Sequence, residues 1–366
     1  MINVFLFHQG IGDCIMFTHA LDKYYTENNF AKDYKNIFLV RGQIEKDILL
    51  LKIYENSNNI IFKINAKSRP GRYVSILKIF LKIKFNFPKV NNLFAPIFSG
   101  SYLNLILIKF LNPLNFFSQK EDLFRKYFNS DNLLPRIEYT ELHYADYFKL
   151  LLEKSKLIKP NSDLSKTGTN IKISKKSSSD PIIVAIGIGC TIRESNKIPS
   201  TEWFITLLDL LNENLNVRFI FYGGEAEIPM FNLFKNKFEN KCDFLINLHP
   251  FELIQKLNQT DIIISGTTGP GHLASLSTTN QITLSEITNP YESGPYKVNN
   301  FNIRSGMKCS PCYRRELVNG CGKLSCLNLI SNYQILNLIT NLVNGETISN
   351  EKYNIPKVQN SNGPIF

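Results

Sequence analysis

The chain has 366 residues, which is more than a single hydrophobic core usually organises, so its length predicts two domains. Hydrophobic residues make up 43% and charged residues 20%, which excludes a largely disordered chain and predicts a globular one. The formal net charge is +11, and the resulting pI near 9.1 favours an anionic partner: nucleic acid, a membrane surface or a phosphorylated substrate.

The opening residues, MINVFLFHQGIGD, lack the basic start and small-residue cleavage site of a secretory signal. No stretch has the ~18 uninterrupted apolar residues that a membrane-spanning helix needs. We therefore expect a cytoplasmic protein. An odd count of seven cysteines in such a chain argues against a disulfide framework.

The first half begins with the pattern of a parallel sheet. Two apolar strands, NVFLF and NIFLV, flank the helix-like segment MFTHALDKYYTENN. Residues 68–128 are rich in Phe, Ile, Leu and Lys, and they predict helices and loops with basic and apolar faces. Such a surface suits contact with lipid, although we expect most of its aromatic residues to be core and its lysines to be solvated.

A polar stretch separates the halves. Ser, Lys, Thr and Asn dominate residues 154–180, which predicts a connector. We expect an N-terminal domain over 1–165, a linker over 166–180, a C-terminal domain over 181–345 and a tail over 346–366 that little holds in place.

The C-terminal domain repeats the strand and helix alternation and predicts a doubly wound sheet. Its predicted strands are PIIVAIGIG, VRFIFYGG and DIIISG. Its predicted helices are TEWFITLLDLLNENL, EIPMFNLFKNKF, PFELIQKLNQT, GPGHLASLS and the final SNYQILNLITNLVNG.

The first candidate site is the turn Gly10–Asp13, which follows the first strand. The glycines, Gly12 included, permit a tight turn whose amides face an anion, or they only let the helix pack closely on the sheet. Asp13 lies at the mouth where parallel sheets bind ligands, so its carboxylate is suited to take a proton from an acceptor hydroxyl. Helix N-capping explains an Asp here equally well.

Three further candidates follow strands of the C-terminal domain, and the first two contain charged side chains. The loop after IGIGC holds Thr191, Arg193, Ser195 and Lys197, which suit a diphosphate, although loop cations are more often solvated. Glu225 or Glu227, after VRFIFY, is suited to a ribose hydroxyl or to the start of a helix.

The strongest local feature is the small, hydroxyl-rich run from Ser265 to His272. It includes Thr267, Thr268 and Gly269, follows a strand and leads into a helix, which favours a phosphate site. His272 is either a ligand-binding or a satisfied core histidine. The cluster of Cys309, Cys312, Cys321 and Cys326 has zinc-ribbon spacing only at its first pair, so we expect structural thiols and no metal site.

Four motifs together resemble the lipopolysaccharide heptosyltransferases, glycosyltransferase family 9, across nearly the whole chain. They are GIGD, IRESNKIPSTEWF, TTGPGHLASL and NPYESGPY. The resemblance implies an α/β fold of the GT-B type, with two facing Rossmann-like domains built on parallel sheets. It also implies an inverting transferase that requires no metal or other cofactor beyond its nucleotide-sugar donor, most simply an ADP-sugar.

The resemblance also assigns roles. The family's catalytic aspartate falls on Asp13, and its phosphate-contacting lysine falls on Lys197, which Thr191 and Arg193 would assist. Its phosphate turn falls on Thr268-Gly269, and its backbone contacts to the base fall on Leu248. Ribose recognition would fall on Glu225 or Glu227.

One departure limits the substrate. The heptosyltransferases carry a sugar-gripping acidic residue immediately before the Thr-Gly turn, whereas this chain has Thr267 there, which leaves heptose and the nucleotide open. We expect a lipid-linked or oligosaccharide acceptor, peripheral contact with the anionic inner membrane and no nucleic-acid partner. The alternatives are a non-catalytic glycan-binding or scaffold protein of the same fold, and a polyanion binder.

Overall fold

The computed structural model describes the chain in two compact units. The described residues are 1–7, 10–27, 34–51, 53, 58–64, 69–95, 102–119, 127–128, 132–134, 142–158, 170–171, 180–190, 197–297, 299–307, 310–311 and 326–350. The first unit comprises Met1–Ser165, His249–Leu253 and Tyr291–Tyr296, and the second comprises Lys166–Leu248, Ile254–Pro290 and Lys297–Phe366.

The first unit is built on a six-stranded parallel sheet of order β3-β2-β1-β4-β5-β6. Its strands are β1 (Ile2–Phe7), β2 (Lys35–Val40), β3 (Asn59–Lys63), β4 (Asn92–Ala95), β5 (Asn115–Gln119) and β6 (Leu133–Leu134). Its helices are α1 (Ile11–Glu27), α2 (Gln43–Leu50), α3 (Arg69–Asn86), α4 (Tyr102–Leu111) and α5 (Tyr144–Lys154).

Alternation along β1 supplies both faces of this sheet. Phe5 stacks on Phe38 and on Phe94, each at a centroid distance of 4.9 Å, on one face. Val4 belongs to the core on the other face, which α3 and α4 cover. Because successive strand residues point to opposite faces, a continuous apolar strand buries both faces at once.

The second unit repeats the architecture with the order β10-β9-β8-β11-β12-β13, again parallel. Its strands are β8 (Ile182–Gly187), β9 (Val217–Gly223), β10 (Cys242–Ile246), β11 (Ile262–Gly266), β12 (Asn280–Leu284) and β13 (Asn300–Ile303), while β7 (Asn170–Ile171) and β14 (Ile348–Ser349) pair separately. The helices of this half of the chain are α6 (Thr201–Asn214), α7 (Ile228–Phe238), α8 (Pro250–Leu257), α9 (Gly269–Ala274), α10 (Pro290–Ser293) and α11 (Asn332–Val343).

Helix α6 shows how local sequence fixes these elements. Its N-cap Ser200 accepts a hydrogen bond from the Trp203 amide at 3.3 Å, which satisfies one of the unpaired amides of the first turn. The Trp203 indole donates to the Ile330 carbonyl at 2.9 Å, so the helix is tied to the segment that precedes α11. The Ser200 cap therefore fixes where α6 begins, and the buried Trp203 indole fixes how the helix packs.

The α/β expectation of two doubly wound parallel sheets is confirmed. Every helix and strand segment predicted in the C-terminal half forms an element of the predicted type, whereas β10, β12 and β13 went unpredicted. The expectation that little holds the chain after Gly345 is wrong for residues 348–350. Ile348 and Ser349 pair antiparallel with Ile171 and Asn170, and the buried Asn350 amide donates to the Asn300 carbonyl at 3.2 Å. No helix among the described residues is long and apolar enough to cross a membrane.

Candidate functional site

Asp13 lies in the first turn of α1, directly after the carboxyl end of β1. Its Oδ2 atom accepts a hydrogen bond from the Gly10 amide at 3.1 Å, which is the side-chain-to-N-cap contact of a helix start. Asp13 is the third residue of α1 and Gly10 is at the N-cap position, so the expectation that Asp13 itself caps the helix is wrong, although its carboxylate pairs with an amide at the helix start. Since a carboxylate accepts several hydrogen bonds, this contact orients Asp13 without using up its capacity. Gly12 is in the same first turn.

In both sheets the strand order reverses beside the first strand, between β1 and β4 and between β8 and β11. The carboxyl edge at such a switch point is where open α/β sheets bind ligands. Asp13 follows β1, and the loops after β8 and β11 carry Lys197 and the run from Thr267 to Gly271. Topology therefore places Asp13 at the switch-point edge of the first sheet, and Lys197 and the run from Thr267 to Gly271 at that edge of the second.

The structure brings Lys197 against the end of β11. A Cβ atom placed on Gly266 would lie 2.5 Å from the Lys197 carbonyl oxygen and 3.2 Å from Ile198 Cγ2. Only a residue without a side chain permits this approach, so the glycine is explained by the close packing of the two loops. Lys197 is consequently held beside the hydroxyl-rich turn that follows Gly266.

The turn itself is defined by its two threonines. Thr268 is the extended N-cap of α9, and its carbonyl accepts from the His272 amide at 2.9 Å. The Thr268 hydroxyl is buried and has no hydrogen-bond partner among the described residues. Leaving a buried hydroxyl unpaired costs about 1–3 kcal/mol, so such a group calls for an explanation, and a bound ligand is one.

The Thr267 hydroxyl, in contrast to that of Thr268, has a partner inside the protein. It shares a short hydrogen bond with the hydroxyl of Thr288. Gly271 has a packing explanation, since a Cβ atom there would lie 2.1 Å from the Gly266 carbonyl oxygen. His272 is buried within α9.

Two polar residues that the sequence did not single out, the buried Gln281 and the partly buried Lys297, hold this turn in place. The Gln281 amide, on β12, donates to Ser265 Oγ at 3.0 Å and to the Gly271 carbonyl at 2.9 Å. Lys297 Nζ donates to Ser277 Oγ at 3.2 Å and to the Ala274 carbonyl at 3.4 Å, near the end of α9. Helix α9, which follows the turn, is therefore held by hydrogen bonds at Gly271 near its start and at Ala274 at its end.

Burial lowers the pKa of the Lys297 ammonium to about 7. Its ammonium also makes a short hydrogen bond to the Thr279 carbonyl, so three acceptors face its three donors. The carboxyl end of a helix carries a partial negative charge, so the positive charge of Lys297 near the end of α9 is electrostatically favourable.

The two glutamates after β9 have separate partners. Glu227 Oε2 accepts from the Gly224 amide at 2.7 Å and lies beside Gly189, where a Cβ atom would also approach Pro270 to 3.0 Å. The loops after β8, β9 and β11 therefore converge here. Glu225 Oε1 accepts a hydrogen bond from the side-chain amide of Asn247 at 3.0 Å, and this bond connects Glu225 to the loop that contains Leu248.

Several predicted residues lie outside the described part of the chain. They are Thr191, Arg193, Ser195, Cys309, Cys312 and Cys321. Within the described part, no group of three or more His, Cys, Asp or Glu side chains is arranged to hold a metal ion.

The first unit holds a polar cluster that the sequence did not predict, although its members Gly294 and Tyr296 belong to the motif NPYESGPY. The Tyr296 hydroxyl donates to Asp146 Oδ1 at 2.6 Å, and Lys149 Nζ donates to the same oxygen at 3.0 Å. His143 accepts from the Ala145 amide at 3.1 Å through Nδ1, and its Nε2 lies 2.9 Å from the Gly294 carbonyl oxygen. Burial lowers the pKa of His143 to about 4, so the imidazole is neutral and donates from Nε2.

Two Rossmann-like units, each built on a six-stranded parallel sheet, are the architecture of the GT-B fold. The sequence pattern of glycosyltransferase family 9 (heptosyltransferase) matches residues 133–322, just over half of the chain, and the protein belongs to this family of enzymes. No curated protein sequence matches the chain.

Solved structures support the same fold. The glycosyl transferase family 9 protein of Veillonella parvula DSM 2008 matches with a TM-score of 0.66 at 16% identity, covering 93% of this chain and 97% of that chain. E. coli ADP-heptose lipopolysaccharide heptosyltransferase II gives a TM-score of 0.61 at 12% identity, covering 94% and 98%. E. coli heptosyltransferase WaaC with ADP gives 0.59 at 14%, covering 93% and 100%. At identities of 12–16%, the similarity shows a shared fold and nothing finer.

Proposed function

We propose that this family 9 transferase moves a sugar, heptose or another, from a nucleotide-sugar to a lipopolysaccharide or other envelope-glycan acceptor, with inversion and without a metal. The observation that carries this proposal is the turn after β11. There the buried Thr268 hydroxyl, which has no partner within the described part of the chain, lies in the segment that packs against the Lys197 backbone. A hydroxyl and a cation beside a switch point suit a diphosphate.

In the proposed reaction, Asp13 accepts the proton of the attacking acceptor hydroxyl. The acceptor oxygen bonds to the anomeric carbon as the bond from that carbon to the diphosphate oxygen breaks, so the configuration inverts. Lys197, with Thr191 and Arg193, neutralises the negative charge that develops on the departing nucleoside diphosphate. The Gly10 amide, which donates to Asp13 Oδ2, orients the base.

The donor would lie along the carboxyl edge of the second sheet. Its diphosphate would contact Thr268 and Gly269, its ribose would contact Glu225 or Glu227, and its base would meet the backbone at Leu248. The side-chain amide of Asn247 donates to Glu225 and holds that carboxylate near Leu248, which favours Glu225 as the contact of the ribose next to the base.

The donor's identity is the less constrained part of the proposal. E. coli WaaC has been solved with ADP and with ADP-2-deoxy-2-fluoro heptose, which favours an ADP-sugar here. The Thr267 hydroxyl is bonded to Thr288, so we assign Thr267 to shaping the turn. Without an acidic residue at this position, a sugar other than heptose fits equally well.

The acceptor would be lipid-linked or an oligosaccharide, reached in the cytoplasm or at the inner face of the cytoplasmic membrane. His272 and Gly12 complete the proposed set, His272 behind the phosphate turn and Gly12 beside Asp13. No nucleic acid is required by this reaction.

A thermal-shift screen tests the donor site first. The purified protein is heated with ADP, UDP, GDP, CDP and dTDP and with their sugars, because a ligand at 100 times its dissociation constant stabilises by about 2.7 kcal/mol. We expect a shift with one nucleotide class, with ADP the first candidate, and loss of that shift in Lys197→Met. A protein that none of these ligands stabilises would instead fit the non-catalytic scaffold.

A further inference from the structure

The positive charge of the chain is concentrated in one stretch. Between Asn56 and Lys120 there are ten Lys and Arg residues and no Asp or Glu, so this stretch carries ten of the eleven excess charges. The remaining residues hold 32 basic and 31 acidic side chains and are nearly neutral. Charge asymmetry of this kind indicates an anionic partner for one part of the molecule.

Helix α3, inside this stretch, is apolar on both of its faces. One face is core: Ile76, Ile79, Phe80 and Ile83 are all buried beneath it. The opposite face carries exposed large side chains, with Leu77 at 43% and Phe85 at 82% exposure. A surface helix of a soluble domain normally presents charged and polar residues to solvent, so this outer face departs from the usual pattern.

Lysines accompany the exposed apolar side chains on that outer face. Lys78 and Lys82 are exposed and four residues apart, on the same side of α3 as Leu77 and Phe85. With no acidic residue in the whole stretch, these cations have no carboxylate partner within it. Apolar side chains bordered by lysines form the pattern of a helix that lies in a membrane interface.

Helix α4 extends the same surface. It packs against α3, and the buried residues of both helices share one core with Val4 of the sheet, so the outer sides of both helices point away from that sheet. On α4, Ile106 is 63% exposed and Lys109 is exposed. We define the apolar-basic face as Leu77, Lys78, Lys82, Phe85, Ile106 and Lys109.

We propose that the apolar-basic face binds the surface of an anionic lipid bilayer, with the apolar side chains inserted among the acyl chains and the lysines at the phosphate level. Charge complementarity selects this partner, and for the location the inference rests on the proposed function, since it is the cytoplasmic leaflet that is anionic. Large exposed aromatic and aliphatic side chains favour lipid over nucleic acid, whose backbone offers charge and no apolar phase. The inference concerns binding alone and does not depend on the transfer reaction.

Flotation of the purified full-length chain with vesicles tests the proposal. We expect binding to vesicles that contain phosphatidylglycerol and little binding to pure phosphatidylcholine. Each interfacial lysine contributes about fivefold in affinity, so Lys78→Gln with Lys82→Gln should weaken binding about 30-fold. Phe85→Ser removes an inserted ring and should weaken it about tenfold.

The matched control is on α7, where Leu233 is 54% exposed and Lys235 is also exposed. Leu233→Ser with Lys235→Gln changes one apolar and one basic residue on another surface and should leave vesicle binding unchanged. All variants should keep the unfolding temperature and nucleotide response of the parent protein, which separates loss of the surface from loss of the fold and from failure of the donor site.

Salt separates the lipid from a nucleic-acid partner. At about 1 M salt the screening length falls to about 3 Å, so an electrostatic complex dissociates while apolar insertion persists. Residual vesicle binding at high salt that Phe85→Ser abolishes would support the proposal. Equal binding to neutral vesicles, unchanged binding by the lysine or Phe85 variants, or tighter binding to duplex DNA that high salt abolishes would each overturn it.

Discussion

The backbone carbonyl of Lys197 lies so close to Gly266 that a Cβ atom at that glycine would be 2.5 Å from it. This approach links the loop after β8 to the turn after β11, and the proposed diphosphate site depends on both. The relationship joins residues 69 positions apart, and the sequence alone gave no sign of it.

Gly266→Ala should therefore weaken nucleotide binding. The new methyl group meets a backbone atom, so one loop must shift and carry Lys197 away from the turn. We expect at least about a tenfold loss of nucleotide affinity, since small displacements of positioned groups are costly. Isothermal titration calorimetry with the nucleotide identified by the thermal screen measures this affinity.

Gly345→Ala is the matched control for that substitution. Gly345 has a φ of +85° and no atom within 4 Å of an added Cβ, so alanine there strains the backbone without touching the site. We expect a loss of about 1–2 kcal/mol in unfolding free energy with unchanged nucleotide affinity. Equal effects of both substitutions on affinity would contradict the proposed role of the 197–266 contact.

Gln281→Leu should destabilise the protein and loosen the turn. It removes both donors from Ser265 Oγ and the Gly271 carbonyl inside the core, which costs about 1–3 kcal/mol. Urea unfolding measures the change. Gln255→Leu, at an exposed position of α8, is the same chemical change and should stay within about 0.5 kcal/mol. If the two variants unfold alike, Gln281 does not anchor the turn.

His143 makes stability depend on pH. Its pKa is about 4 in the folded protein, below the value of about 6.5 expected when unfolded, so the unfolded chain binds more protons between these pH values. Stability is therefore lost as pH falls from about 6.5 toward 4, by about 1.4 kcal/mol per pH unit from this group.

His143→Asn keeps a side-chain acceptor for the Ala145 amide but does not titrate. Comparing urea midpoints at about pH 7.5 and about pH 5 should show a smaller acid loss in the variant than in the parent. Parallel acid losses for parent and His143→Asn would refute the assignment.

The sequence predicted the second sheet well because its central strands are apolar runs with clear borders. IIVAIG and IIISG end in glycines, and the intervening helices have apolar residues at helical spacing. The strand CDFLI was missed because it is a half-buried edge, and NQITL was missed because it begins with two amides. The pairing of 170–171 with 348–349 joins short segments far apart in the chain, which no local pattern reveals.

Among the proposed site residues, the sequence indicated those that follow strands, because a switch-point loop with hydroxyl, glycine and charged residues has a recognisable composition. The anchors behind them were not indicated. Gln281 is the second of two amides that begin β12, and Lys297 reaches acceptors about 20 residues earlier in the chain, so their roles depend entirely on the tertiary fold. Resemblance to the family supplied the roles of Asp13 and Lys197, which spacing alone left open.

The most direct test of the account is the transfer rate of Asp13→Asn. Asparagine keeps an oxygen that accepts from the Gly10 amide, so the helix start and the donor site should be intact, while the base is gone. With the nucleotide-sugar found by the thermal screen and an envelope-glycan acceptor, we predict unchanged donor affinity and a rate lowered by about 10² to 10⁴. Near-normal turnover with unchanged donor affinity would contradict Asp13 as the base and, with it, the proposed mechanism.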